Sequence, residues 1–159
     1  GATDDDDASW DLRAEAWEHP SVMIGGSDAG AHLDRMAGAP YPTQWIGDCV
    51  RGRRLTTLER AVNHMTDVPA RLFVLRDRGR IAEGYHADLV IFDPATVDAG
   101  PVEMVNDLPG DTGRLVSRAV GVDRVLVGGV DIVIDGRETG ARPGQVIRSG
   151  ADTYTADLV

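Results

Sequence analysis

Lysine is absent from this 159-residue chain, so all 16 of its basic residues are arginine. They stand against 26 acidic residues, which gives a formal net charge of -10 at pH 7. Nucleic acids and anionic membrane surfaces are bound through clustered basic side chains. The acidic balance therefore argues against both as partners of this protein.

Cysteine, aromatic residues and long apolar runs are also scarce. The single cysteine, Cys49, cannot form an internal disulfide, which fits a reducing cytoplasm. No apolar run is long enough to span a bilayer, and no secretory segment is recognisable. Aromatic residues make up 5% of the chain, so we expect an aliphatic core. The first residue is not methionine, which suggests a truncated or processed chain.

The first half of the chain has the pattern of helices and loops. A short helix is predicted over residues 10–18, with Leu12, Ala16 and Trp17 on one side, and it ends before Pro20. Further helices are predicted within residues 45–76. One begins with Thr56 and Glu59 at the spacing of a capping box, and another covers residues 69–75.

From Arg80 the pattern changes to that of strands. Residues 87–94 form an apolar run bounded by acidic residues and a proline, which predicts a buried strand. Two β-branched runs flank Gly128-Gly129, which predicts a hairpin. Residues 95–113 and 136–144 are expected to be loops, residues 145–148 a last strand, and residues 149–159 a loosely ordered tail. We therefore divide the chain into segments 1–80 and 81–159.

One short stretch, SVMIGGSDAGAHLD at residues 21–34, places a carboxylate at the mouth of an apolar segment. Residues 21–24 have the composition of a short buried strand, and two glycines end it. Asp28 follows almost at once, and His32 comes four residues later. Such an aspartate can be a simple turn former or helix cap, or it can belong to an active site.

The same stretch opens a longer resemblance. GGSDAGAHLD, then LTTLERAVNHMTDVPARLFVLRDRGRIAEGYHADLVIFDP and the late segment DLPGDTGRLVSRAVGVDRVLVGGVDIVIDGRETGARPGQVIR, resemble the C-terminal end of an amidohydrolase-superfamily enzyme. The most similar group is that of the N-acyl-D-amino-acid deacylases (D-aminoacylase-like, amidohydrolase family 3). The resemblance covers roughly residues 20 to 150.

This resemblance implies an α/β plus β fold: the last strand and closing helices of a (β/α)8 barrel, followed by the C-terminal part of a small β-sandwich. Residues 21–25 would be the eighth barrel strand, and residues 81–159 the sandwich portion with its tail. It also implies hydrolysis of the amide C–N bond of a small N-acylated amino acid. The cofactor would be a divalent metal, usually zinc.

Barrel enzymes build their sites at the C-terminal ends of their strands, where the resemblance places Asp28. By resemblance, Asp28 is the general acid and base at a metal-bound water, and it could also touch the metal. Ser27 and His32 are the candidates for substrate binding. A histidine that is solvated or bonded locally is an equal alternative for His32, and Asp34 and Arg35 are expected to pair with each other.

The other metal ligands of that superfamily have no counterpart here. A catalytic zinc site normally needs three protein ligands. A bridging lysine is impossible, and the four histidines form no His-x-His pair; they are His19, His32, His64 and His86. We expect His64 on the surface and His86 in a structural turn.

The incomplete site leads to an expectation for the isolated chain. We expect it to be an inactive C-terminal piece that needs the missing N-terminal part of the same protein, or to associate into an oligomer. The alternative interpretation is a non-catalytic, β-rich module for binding or assembly.

Overall fold

The structure is a computed structural model that describes residues 6–27 and 29–154. Helices come first and strands follow. The helices are α1 (Asp7–Trp17), α2 (Tyr41–Trp45), a π-helix (Ile46–Gly52), α3 (Leu58–Met65) and α4 (Asp67–Leu72). The strands are β1 (Leu89–Phe92), β2 (Asp98–Leu108), β3 (Thr112–Val120), β4 (Val122–Val127), β5 (Val130–Ile134) and β6 (Arg137–Glu138).

Helix α1 begins three residues earlier than the sequence pattern suggested. Asp6 caps it, because its carboxylate accepts a hydrogen bond from the backbone N–H of Ser9 at 2.7 Å. The predicted apolar face was wrong in part: Leu12 is 67% exposed and Ala16 is exposed, whereas Trp17 packs against the core as expected. Its partner on the inward side is Trp10, which lies seven residues earlier and therefore on the same face after two helical turns.

Helix α3 is capped by Thr57, not by Thr56, and the residue three positions later is Arg60, so the predicted capping box is not formed. The Thr57 hydroxyl accepts a hydrogen bond from the backbone N–H of Arg60 at 3.3 Å. The expected surface position of His64 was also wrong, since only 5% of this residue is exposed. It lies three residues after the fully buried Ala61 and therefore shares its helix face.

Among the described residues, most of the buried apolar side chains are aliphatic, as the composition predicts, but the main cluster is centred on a tryptophan; the aliphatic ones are Ile46, Ala61, Ala70 and Val97. Trp45, Cys49 and Ala61 form its buried centre. The ring of Trp45 meets that of Trp17 edge-on, with centroids 5.7 Å apart, and that of His64 at 6.2 Å. The rings of Trp17, Trp45 and His64 therefore pack together in the helical part of the chain. Aromatic side chains are large, so a few of them can make up much of a small core.

Four strands form an antiparallel sheet in the order β1-β4-β5-β6. The predicted hairpin is confirmed: β4 turns into β5 through Gly128 and Gly129, whose φ angles are 57° and 80°. Both angles lie in the left-handed region that glycine adopts without strain, which is why this pair of residues makes the tight turn. Strand β6 lies in the predicted loop 136–144 and adds two residues to the sheet edge.

A second, two-stranded sheet consists of the long hairpin β2–β3. The expected loop at residues 95–113 was therefore wrong. Prolines and glycines suggested a loop, but the hairpin accommodates them at irregular points. Its register shifts between Ala99 and Val102, where Gly100-Pro101 lies, and the turn after β2 holds Pro109-Gly110. Proline lacks a backbone N–H, so it fits a strand only at such a break in the ladder.

Two predicted strands are not formed. Residues 22–27 have no regular secondary structure, and neither do residues 145–148. A strand needs a hydrogen-bonded neighbour, and none of the described residues pairs with either segment. The segment after residue 148 is not loose as far as the structure describes it. Thr153 forms a bridge with Leu75, and the N–H of Tyr154 donates to the carbonyl of Val74 at 2.8 Å.

An ion network ties α4 to the connection that leads to the sheets. The buried carboxylate of Asp67 accepts hydrogen bonds from the guanidinium groups of Arg80 and Arg71. These bonds hold the pKa of Asp67 at about 2, below its ordinary 3.8, with Arg80 as the larger cause. Gly79 packs directly against Ala70 in α4 and completes this junction.

Candidate functional site

The candidate catalytic residue, Asp28, lies outside the described residues. Its role therefore remains a prediction, and the structure bears on it only through its neighbours. We call residues 29–38 the site loop, because they follow Asp28 directly and contain His32. The site loop ends just before α2, which begins at Tyr41.

Ser27 lies on the other side of Asp28 and is held by local contacts. Its hydroxyl accepts a hydrogen bond from the backbone N–H of Ala29 at 3.1 Å. Its carbonyl oxygen packs against Gly38, where an added Cβ would lie only 2.0 Å from that oxygen. The two ends of the site loop therefore approach each other closely, and only glycine fits at position 38.

His32 is exposed and occupies a left-handed backbone conformation, with φ at 48°. Its carbonyl oxygen accepts hydrogen bonds from the N–H groups of Arg35 at 2.8 Å and Met36 at 3.0 Å. This tight turn presents the imidazole at the surface of the loop. Asp34 and Arg35 pair with each other at 3.4 Å, as expected, and both are solvent-exposed.

Two contacts that the sequence analysis did not connect with the site lie in its surroundings, and the first of them reaches the site loop directly. The N–H of Leu115 in β3 donates a hydrogen bond to the carbonyl of Leu33 at 2.7 Å. Arg51, in the π-helix, donates to the carboxylate of Asp98 and to the carbonyl of Val97, both at 2.7 Å. No motif points to either contact, because they join residues far apart in the sequence.

The described residues do not fit a metal ion. Among residues 6–27 and 29–154, no group of three or more His, Cys, Asp or Glu side chains comes together. His19 accepts a hydrogen bond from the N–H of Ser21, and His64 is buried against Trp45. His86 is exposed and lies just after a turn, not within it as expected, where its N–H donates to the carbonyl of Asp77 at 2.9 Å. None of these three is near the site loop in the contacts described, so no metal-dependent step can be derived from them.

Cys49 is a free thiol in the core. Burial, aided by the nearby Asp48 carboxylate, raises its pKa to about 11. A thiol is nucleophilic and binds metal as the thiolate, so Cys49 is chemically inert in the folded chain. It is a packing residue beside Trp45.

Within the part of the chain that the structure describes, the helices lack the length and the apolar composition needed to cross a membrane.

Comparison with known proteins identifies the family. The amidohydrolase family profile matches residues 8–133, so this chain belongs to the amidohydrolase family. It is 38% identical over 84% of its length to N-acyl-D-aspartate deacylase of Alcaligenes xylosoxydans xylosoxydans. It is 36% identical over 85% of its length to N-acyl-D-glutamate deacylase of the same organism. It spans only 25% and 26% of those two relatives.

A solved structure is also similar. It is the crystal structure of N-acyl-D-glutamate deacylase from Bordetella bronchiseptica, in complex with zinc and a phosphonate that mimics the tetrahedral intermediate of the reaction. The sequences are 35% identical and the TM-score is 0.60. The match covers 86% of this chain and 27% of the other. The fold described above is therefore part of an amidohydrolase fold.

Proposed function

We propose that this chain is part of a metal-dependent amidohydrolase that hydrolyses the amide C–N bond of N-acyl-D-amino acids. The observation that carries the proposal is the 38% identity with N-acyl-D-aspartate deacylase over 84% of the chain. The chain spans about a quarter of that relative, so the proposed activity is that of the complete enzyme. The isolated chain is expected to be inactive.

The finer fold assignment is part of the same proposal. Residues 21–25 would be the last barrel strand of the complete enzyme, and the β-rich segment would be one part of a sandwich. The exposed apolar side chains support this. Val102 and Met104, on one face of β2, are 57% and 55% exposed, and Val90 in β1 is 51% exposed. Side chains of this kind normally face a partner surface, which the rest of the enzyme would supply.

Asp28 is proposed as the general base and acid of the reaction. In this role its carboxylate takes a proton from the water that attacks the amide carbonyl and then gives that proton to the departing amine nitrogen. Ser27 and His32, which flank it in the sequence, are proposed as substrate contacts. The exposed imidazole of His32 supports this, because it is free of the core.

We also propose a divalent metal, zinc in the usual case, for the complete enzyme. When bound, such an ion polarises the substrate carbonyl or activates water. Because the described residues bring together no set of metal ligands, the ligands would come from the rest of the enzyme, with Asp28 as the one candidate in this chain. The proposed compartment is the cytoplasm, since the lone, buried thiol of Cys49 suits reducing conditions.

The test is an assay of the complete enzyme on N-acetyl-D-aspartate, N-acetyl-D-glutamate and N-acetyl-D-leucine, each beside its L enantiomer. The key variant is Asp28→Asn, and the matched control is Asp34→Asn, an exposed carboxylate in the site loop. We expect Asp28→Asn to lower kcat by roughly 10² to 10⁴, the contribution of a general acid–base group. Asp34→Asn should leave kcat almost unchanged.

Two results would contradict the proposal. Equal activity of wild type and Asp28→Asn would remove Asp28 from the mechanism. Absence of hydrolysis on every N-acyl substrate, in a folded and metal-loaded complete protein, would favour the non-catalytic binding or assembly module.

A further inference from the structure

The site loop is attached to the rest of the chain at its middle and at its C-terminal end, and the attachments form a closed ring. At one end, Gly38 packs under the carbonyl of Ser27. The carbonyl of Gly38 then accepts a hydrogen bond from the N–H of Tyr41 at 3.4 Å, at the start of α2. Helix α2 continues without a break into the π-helix. The position of the loop end is therefore fixed relative to the π-helix.

The π-helix in turn is locked onto the start of the β2–β3 hairpin. Gly47 lies so close to Asp98 that an added Cβ would fall 2.3–2.5 Å from the atoms of its carboxylate. Arg51 donates hydrogen bonds to the same carboxylate and to the carbonyl of Val97. Val97 itself is almost fully buried. Asp98 is thus held both by the charged hydrogen bond from Arg51 and by close packing against Gly47. The first residues of the hairpin therefore cannot shift independently of the π-helix.

The hairpin closes the ring at the middle of the site loop. Leu115 lies opposite Met104 in the ladder, and its N–H points away from β2, where it meets the carbonyl of Leu33 at 2.7 Å. The bond uses the outer edge of β3, since β2 is the one strand that pairs with β3 in the part of the chain that the structure describes. The middle of the site loop is thus held by a strand and its end by a helix.

We propose that the β2–β3 hairpin is a positioning element for the site loop, and through it for the substrate contact His32. This inference rests on the proposed function. The hairpin touches no reacting atom itself, and it acts by keeping the loop in one place. Positioning matters greatly for such a site, because a displacement of about 1 Å can lower a rate by roughly 10²-fold.

The test removes the single hydrogen bond. Leu115→Pro lacks the backbone N–H that reaches Leu33, whereas the matched control Leu115→Ala keeps it and loses only side-chain volume. Because the bond lies on the outer edge of β3, the proline breaks no bond between β2 and β3. Arg51→Ala is the second variant, which loosens the ring at its other end without a proline.

The first readout is amide hydrogen exchange of the site loop, followed by mass spectrometry on peptides that cover residues 29–38. The protected amides are those of Arg35 and Met36, which donate to the His32 carbonyl. We expect faster exchange in Leu115→Pro and Arg51→Ala, and unchanged exchange in Leu115→Ala. This measurement does not depend on activity.

The second readout is the steady-state kinetics of the complete enzyme on the N-acetyl-D-amino acid that it hydrolyses best. Global unfolding would lower the active fraction and leave KM unchanged, whereas a displaced loop should raise KM as well as lower kcat. We expect kcat/KM to fall at least about tenfold in Leu115→Pro and Arg51→Ala, and less than about threefold in Leu115→Ala.

Unchanged loop exchange in both variants would overturn the inference. Faster exchange with unaltered kinetic constants would overturn it too, because the hairpin would then hold a loop that catalysis does not need. If the wild-type enzyme hydrolyses no N-acyl substrate, the proposed function fails. In that case exchange alone decides whether the hairpin holds the loop.

Discussion

Replacement of Gly79 by alanine tests the junction between α4 and the sheets in a way that can be worked out from the structure. Gly79 has a φ of +82°, and an added Cβ would lie 2.5 Å from the Cβ of Ala70 and 2.9 Å from the carbonyl oxygen of Thr66. Alanine in the left-handed region costs about 1–2 kcal/mol. Overlap with packed neighbours adds about 1–3 kcal/mol, because Ala70 is only 6% exposed and cannot yield.

Gly84 supplies the matched control. Its φ is +84°, almost the same, but no atom lies within 4 Å of an added Cβ. Gly84→Ala therefore carries the backbone cost alone, and the gain from a stiffer unfolded chain is shared by both variants. The difference between the two free energies of unfolding should be about 1–3 kcal/mol, the cost of the overlap.

The assay is urea denaturation followed by tryptophan fluorescence, with wild type, Gly79→Ala and Gly84→Ala measured side by side. We expect both variants to unfold at lower urea than wild type, and Gly79→Ala at clearly the lowest concentration. Equal midpoints for the two variants would refute the reasoning, because the close packing of Gly79 on α4 would then carry no energetic weight.

Three further predictions concern ionisable groups. The pKa of about 2 for Asp67 means that this carboxylate binds a proton less tightly in the folded chain than in the unfolded chain. Its contribution of about 2 kcal/mol to the free energy of unfolding should therefore be present above pH 3.8 and be lost as the pH falls towards 2. Urea midpoints should show this loss in wild type and not in Asp67→Asn, while Asp107→Asn, at a half-exposed pair with arginine, should behave like wild type. Burial lowers the pKa of His64, so the chain should lose stability as the pH falls below 6.5, and His64→Phe should abolish that loss in the same denaturation assay. Cys49, with a pKa of about 11, should react with a thiol reagent at pH 8 only as fast as the chain unfolds, and an immediate reaction of the folded chain would contradict its burial.

Two elements of the fold could be predicted from the sequence because short-range signals determine them. The Gly128-Gly129 turn was predictable because two adjacent positive φ angles leave few alternatives to glycine. Strand β1 was predictable because its apolar run is bounded by acidic residues and a proline, although its predicted burial was wrong: Val90 and Ile91 are 51% and 48% exposed. In both cases the signal lies within a few neighbouring residues and does not depend on the rest of the chain.

The incorrect predictions concern features that depend on contacts between residues far apart in the sequence. The β2–β3 hairpin contains Pro101, whose missing N–H is tolerated only because the ladder is irregular there, and no local pattern announces that irregularity. His64 was expected at the surface because it lies beside the predicted apolar face of its helix, yet the ring of Trp45 packs against it. The candidate site was predictable only as the neighbourhood of Asp28. Its support by Leu115 depends on a contact between segments that lie far apart in the chain.

The hydrogen bond between Leu33 and Leu115 also has a consequence for the order of folding. About 80 residues separate its two partners, so the intervening chain must close into a loop before the bond can form. Contacts between residues so far apart in the sequence form slowly. During synthesis the site loop leaves the ribosome well before the strand that holds it. The region around the candidate active site should therefore be among the last parts of this chain to become ordered, which leaves the nascent protein without a formed site until the hairpin is complete.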